Sequence, residues 1–144
     1  MKYIMIVLTV LISSVVYSQQ KQAIQPFDQI SFLDTLGKKD IATVEDANNL
    51  FTIVLEKRQP AQNGNFNSNV PLKKGYIALM VAKNLNLTDS VLFTLFKSER
   101  YAFRVCVAHK LLNEDGSEYD KMSGEELIEF LNLASEYKEK GASR

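Results

Sequence analysis

Cys106 and His109 stand three positions apart, close enough on a helix for a thiol and an imidazole to share one face as nucleophile and base. Such a pair needs a third group to orient the base, and the pattern nominates none. They are also the only cysteine and the only histidine of the 144 residues. A closed zinc site would therefore need carboxylates at ligand spacing, which are not evident. Cys106 sits in Val105-Cys106-Val107-Ala108 and reads as a small buried hydrophobe, with no second cysteine for an intramolecular disulfide. His109 reads as a half-exposed helix histidine.

Carboxylates are the next candidates. Glu99 lies between Phe96 and Tyr101, the one acid whose neighbours could raise its pKa as a glycosidase acid requires. One acid is half of that machinery, and a glutamate near a helix start is ordinary capping chemistry. The run Asn113-Glu114-Asp115-Gly116-Ser117-Glu118-Tyr119-Asp120 resembles a calcium loop in composition. Setting Gly116 at the sixth place of an EF-hand puts Leu111 first and Met122 twelfth, where an aspartate and a bidentate glutamate are required. A solvated Asp-Gly turn between two helices is the expectation. No catalytic residue, metal or cofactor is expected.

Charge distribution says more. From Lys73 to Lys110 seven basic residues face only Asp89 and Glu99, a net of +5, while Asn113 to Glu139 holds nine acids against Lys121 and Lys138, a net of −7. Lys97, Arg100 and Arg104 fall at spacings of three and four, one stripe if the helix through them is continuous. Pairing with Glu114, Glu118 or Asp120 of the same domain is the expected fate of this stripe. The alternative is that it grips an anionic wall polymer or lipid headgroups. Overall charge is balanced, with 17 basic and 17 acidic residues, which argues against a nucleic-acid binder.

The elements that must position these residues can be read from periodicity. Met1-Lys2-Tyr3 followed by the apolar run Ile4 to Val16 reads as the charged and hydrophobic regions of a secretory signal, with cleavage expected after Ser18. The apolar run is too short for a bilayer-spanning helix, which takes about 20 residues. Gln19 and Gln20 stand where a lipoprotein would need cysteine, so no stable membrane anchor is expected. Residues 19–42 read as a polar arm with one short docked turn, and 43–144 as a helical domain.

Within that domain Thr43-Val44-Glu45-Asp46 predicts a helix start, with Lys57-Arg58 before Gln59-Pro60 as its end. Residues 59–71, rich in asparagine, glycine and proline, read as the longest loop. Pro71 suits a first helical position, and Tyr76 to Ala82 is apolar on every side, the mark of a central buried helix. Thr88-Asp89 is expected to cap a helix holding Val91, Leu92, Leu95 and Phe96. Tyr101 to Ala108 suits strand or helix, and its length and alanines favour helix. Ser123-Gly124-Glu125-Glu126 is a capping box opening a helix whose Leu127, Phe130, Leu131, Ala134 and Tyr137 form one stripe, with Gly141 as its stop. The expectation is an all-α, single-domain bundle of about five helices, without an internal repeat.

The segment Tyr101 to Leu131 resembles a degenerate S-layer-homology module. The pieces that carry the likeness are Ala108-His109-Lys110-Leu111-Leu112, then Asp115-Gly116, then Met122-Ser123-Gly124-Glu125-Glu126-Leu127, within a segment of about 30 residues. Thr43-Val44-Glu45-Asp46 and Leu72-Lys73-Lys74-Gly75 echo the same helix-start theme. The resemblance implies a helical module at the cell envelope. In that family an arginine of the tetrad helps bind anionic wall polymer, and the corresponding position here is Gly124, so that contact does not carry over. The functional expectation is an exported, periplasmic or extracellular, non-catalytic module binding an envelope protein or anionic polymer. The alternative is a small periplasmic glycan-cleaving enzyme using Glu99.

Overall fold

The computed structural model describes residues 28–58 and 69–142. The signal segment 1–18, the residues of the arm up to 27 and most of the 59–71 loop lie outside the described residues. Among the described residues six helices follow one another: α1 (Gln29–Gly37), α2 (Val44–Val54), α3 (Lys74–Asn84), α4 (Val91–Phe96), α5 (Glu99–Ala108) and α6 (Gly124–Ala142). Among the described residues there is no strand, and Tyr101 to Ala108 is helical.

The helix that periodicity does not separate is α1, inside the segment that reads as a polar arm. Asp28 caps it by accepting from the amides of Ile30 and Ser31, and Leu36 is its buried anchor. One buried residue in nine is too faint a periodicity to read, yet it seats α1 against α6.

Three helices start from one junction. Ala42, Leu72 and Met122 directly precede the starts of α2, α3 and α6, and their backbones close a ring. The Ala42 amide donates to the Met122 carbonyl at 2.9 Å, Met122 to Leu72 at 3.1 Å and Leu72 to Ala42 at 2.8 Å. The next turn outward repeats the threefold pattern: the first helical amides of α2, α3 and α6 (Val44, Lys74 and Gly124) donate to the carbonyls of Val70, Asp120 and Lys39. A helix start leaves its first amides without partners inside the helix, and here neighbouring segments satisfy them. All three ring residues are almost fully buried. This is an internal repeat in space that the residue identities conceal.

Side chains finish two of the three starts. Thr43 and Asp46 form a capping box on α2, with Asp46 also held by both oxygens to Lys39 at 2.8 Å. Ser123 and Glu126 do the same on α6 at 3.1 Å each way. Lys73, which opens α3, has no side-chain cap. Pro71 is not its first residue but lies in the bridge to Thr43.

Gly124 admits the closest approach in the fold. A Cβ there would lie 1.7 Å from the Leu36 carbonyl oxygen, so only glycine lets the end of α1 seat on the start of α6. Gly75 similarly faces the Glu118 carbonyl, at 2.8 Å from where a Cβ would stand. At the far end Lys138 of α6 donates to the Leu55 carbonyl and Asn84 Oδ1, both at 3.0 Å, tying down the ends of α2 and α3 where a cation suits the exposed carbonyls. Helix α6 runs past Gly141 to Ala142 rather than stopping there.

The core joins these pieces. Ile77, Ala78, Val81 and Ala82 of α3 are fully buried, as the all-round apolar run predicts, and α3 packs chiefly on α5 through Ala102, Phe103 and Cys106. The expected stripe of α6 is the buried one from Leu127 to Ala134.

Candidate functional site

The basic candidates lie at and just beyond the α4–α5 corner. A break separates the two helices: Lys97 closes α4 in the left-handed region, φ 44°, and Ser98 opens α5. The stripe is therefore not one continuous helical row. Arg100 and Arg104 share the exposed face of α5 one turn apart, and Lys97 stands at the corner before them. The Phe96 and Tyr101 rings, 5.7 Å between centroids, bridge the break.

Lys97, Arg100 and Arg104 are all exposed, and among the described residues none of them forms an ion pair. The expected pairing with Glu114, Glu118 or Asp120 is thus not what the fold adopts. The link between the basic and acidic segments is elsewhere, Lys74 to Glu126 at 3.0 Å. Asp120 instead orders its own turn, accepting from the Ser117 amide at 2.8 Å beside Gly116, whose φ of 147° requires glycine. Burial raises the Glu126 pKa, but the Ser123 amide and Lys74 outweigh it and hold this carboxyl below its usual 4.5.

The position that follows the cap is Val44 in α2, Lys74 in α3 and Gly124 in α6. Of these only Lys74 is cationic, and Glu126 neutralises it. Three unpaired cations remain at the α4–α5 corner.

Cys106 and His109 point apart. The Cys106 thiol is buried against the Ala78 carbonyl at 3.7 Å, and desolvation pushes its pKa up from 9.0 to about 12, so it stays protonated. His109 ends α5 and meets Asp89 through Nε2 at 2.8 Å and the Tyr137 hydroxyl through Nδ1 at 3.2 Å. Asp89 is therefore not the cap of α4; Ser90 is, accepting from the Phe93 amide. The His109 bonds tie the entry of α4 to α6, partners too distant in sequence for any spacing rule to find.

Glu99 is the half-buried first residue of α5. Its Cβ and that of Glu118 flank Gly75, at 2.9 and 3.0 Å from where a Gly75 Cβ would stand. A second acid is thus close by. Three cavities are prominent among the described residues, and neither glutamate lines any of them. The cavity nearest the cations, about 300 Å³ between the end of α3 and α4, is lined by Lys83, Asn86, Leu87, Thr88, Phe93 and Lys97 among others.

The feature that spacing alone does not flag is apolar. Helix α4 buries only Phe93, leaving Val91 73%, Leu92 47%, Leu95 70% and Phe96 63% exposed. On a 3.6-residue period Val91 and Leu95 lie opposite Phe93, and Leu92 and Phe96 run along the flank between them and it. The signal is present as five apolar residues in six, more than so short a helix can bury on one side.

Among the described residues no helix is long and apolar enough to cross a membrane, and no group of three or more His, Cys, Asp or Glu could hold a metal ion. No family model, no curated protein and no solved structure matches the chain.

Proposed function

We propose that the chain is an exported, non-catalytic module of the cell envelope that binds an anionic polymer or a protein partner through Lys97, Arg100 and Arg104. The observation that carries this reading is that three exposed cations at one corner stay unpaired although an acidic segment of net −7 belongs to the same domain. Charges kept out of internal pairs stay available for charge-assisted bonds to an external anion. The export step rests on the signal-like start, Met1 to Ser18. The S-layer-homology resemblance supports an envelope setting, and the ring of three helix starts extends its helix-start theme from Ser123 to Thr43 and Lys73.

The test is retention of purified protein on anionic wall polymer across a salt series, beside the Arg100→Glu/Arg104→Glu variant. Retention that falls with salt and drops at least tenfold in the variant, with the melting temperature unchanged, is expected. Equal retention of both proteins would remove the stripe from the function.

The proximity of Glu118 to Glu99 favours one second reading, a glycan-cleaving enzyme with those two acids. Glu99→Gln and Glu118→Gln should each abolish release of reducing ends from cell-wall glycan if it holds, and no activity in the unmodified protein would end it.

A further inference from the structure

We propose that the exposed face of α4 and the cations beside it dock onto an anionic lipid bilayer, with Val91, Leu92, Leu95 and Phe96 entering the interface and Lys97, Arg100 and Arg104 meeting headgroup phosphates. The proposal goes beyond the polymer or protein partner named above by giving the same corner a lipid surface, and it rests on the cation reading for its charges.

Three observations carry it. The first is the concentration of apolar surface: four large side chains, three of them more than 60% exposed, project from one six-residue helix. A contiguous protruding apolar patch on a domain that otherwise buries most of its large side chains marks a surface meant to be covered. The second is that local bonds already satisfy part of the backbone at both ends of α4. The Ser90 hydroxyl accepts from the Phe93 amide at 3.3 Å, the Lys97 amide donates to the Phe93 carbonyl at 2.8 Å, and Thr94 returns its hydroxyl to the Ser90 carbonyl at 3.0 Å. Each of these bonds removes one polar group that a low-dielectric interface would otherwise strand. The third is charge. Lys97 closes α4 and Arg100 and Arg104 follow on the exposed face of α5, whereas Asp89, the acid at the entry of α4, is engaged by His109. Apolar insertion beside unpaired cations is the pattern that anionic lipid surfaces attract.

A second copy of the chain fits less well. Four side chains fall short of the roughly 800 Å² per partner that stable interfaces bury. A twofold pairing through α4 would also set Lys97, Arg100 and Arg104 near their own copies.

The chain contains no tryptophan, so Phe96→Trp places a single emission reporter on the face. The probes are vesicles of phosphatidylcholine mixed with phosphatidylglycerol and vesicles of phosphatidylcholine alone, with sedimentation of the unsubstituted protein in parallel. The expected result is a blue shift and cosedimentation on the anionic vesicles that weaken with salt. Val91→Ser/Leu95→Ser and Arg100→Glu/Arg104→Glu should each lower partition at least tenfold, as loss of several interfacial contacts of this kind requires. Both pairs are exposed, so an unchanged melting curve is expected and checks folding.

An unshifted indole emission from the Phe96→Trp variant at saturating anionic vesicles would overturn the proposal. So would equal partition of the Val91→Ser/Leu95→Ser variant and the unsubstituted protein, or a concentration-dependent dimer abolished by that variant. If that variant still binds wall polymer while Arg100→Glu/Arg104→Glu does not, and vesicles bind neither protein nor variant, the lipid proposal fails and the cation reading stands. Loss of wall-polymer binding in none of the variants would defeat the cation reading separately.

Discussion

Two regions of this molecule spend their unusual residues in opposite ways. At the junction, glycines at 75 and 124 remove side chains so that backbone meets backbone, six amides at three helix starts find partners on neighbouring segments, and the ring residues are buried. At the α4–α5 corner, Lys97 takes a left-handed φ that favours glycine, large apolar side chains stand in solvent, and the cations lack ion-pair partners among the described residues. Apolar exposure on one short helix and unpaired charge stand together where binding can use them, while the junction is built for holding. Substitutions should therefore damage folding in one region and binding in the other.

The largest expected effect is at the junction. Gly124→Val should destabilise the protein by more than about 4 kcal/mol, because its Cβ would overlap the Leu36 carbonyl and force α1 off α6. Denaturant unfolding measures it, and a loss below about 1 kcal/mol would mean that α1 is loosely seated.

The next concerns the core layer where α3 meets α5. The folded-state pKa of Cys106 is raised from 9.0 to about 12, so its contribution is complete below 9.0 and is lost as pH rises toward 12, where the unfolded chain gives up a proton that the folded one keeps. Unfolding midpoints should fall across that window, and those of Cys106→Ala should fall less steeply. Parallel curves would place the thiol in contact with water.

Removing the cap of α6 is a smaller step. Ser123→Ala should cost about 1 kcal/mol. It should also weaken the acid sensitivity of Glu126, whose lowered pKa stabilises the fold above the usual 4.5 and loses that contribution as pH falls through the folded value. Melting curves from neutral to acid pH compare the two proteins.

Smallest of all is the corner itself. Val91→Ser/Leu95→Ser should shift stability by no more than about 0.5 kcal/mol, since these side chains are exposed already. A loss comparable to that of a core substitution would show that the face is covered in solution and would erase the contrast between the two regions.

How much of this is legible in the sequence varies with range. Capping chemistry is local, and both Thr43 and Ser123 announce their helices through residues three positions on. The buried run from Ile77 to Ala82 and the stripe of α6 follow from a 3.6-residue period over enough length to average out exceptions. Helix α1 and the true cap of α4 escape such a reading because one buried leucine and one serine among several hydroxyls give no period to follow. The corner is half legible: spacing names the three cations, but their continuity as one helix fails at Lys97, and the apolar face beside them looks like ordinary helix content until its exposure is known.

Composition, caps and periodicity are enough to make this an all-α domain and to mark Lys97, Arg100 and Arg104, since each of those inferences concerns residues within a turn or two of one another. Only the tertiary structure could decide that three dissimilar segments close a ring at Ala42, Leu72 and Met122, that Gly124 is a packing site, and that the stripe stays out of internal ion pairs. The physical reason is that backbone amides and carbonyls, the groups that build the ring, are the same for nearly every residue type, so no choice of side chain advertises which of them will meet.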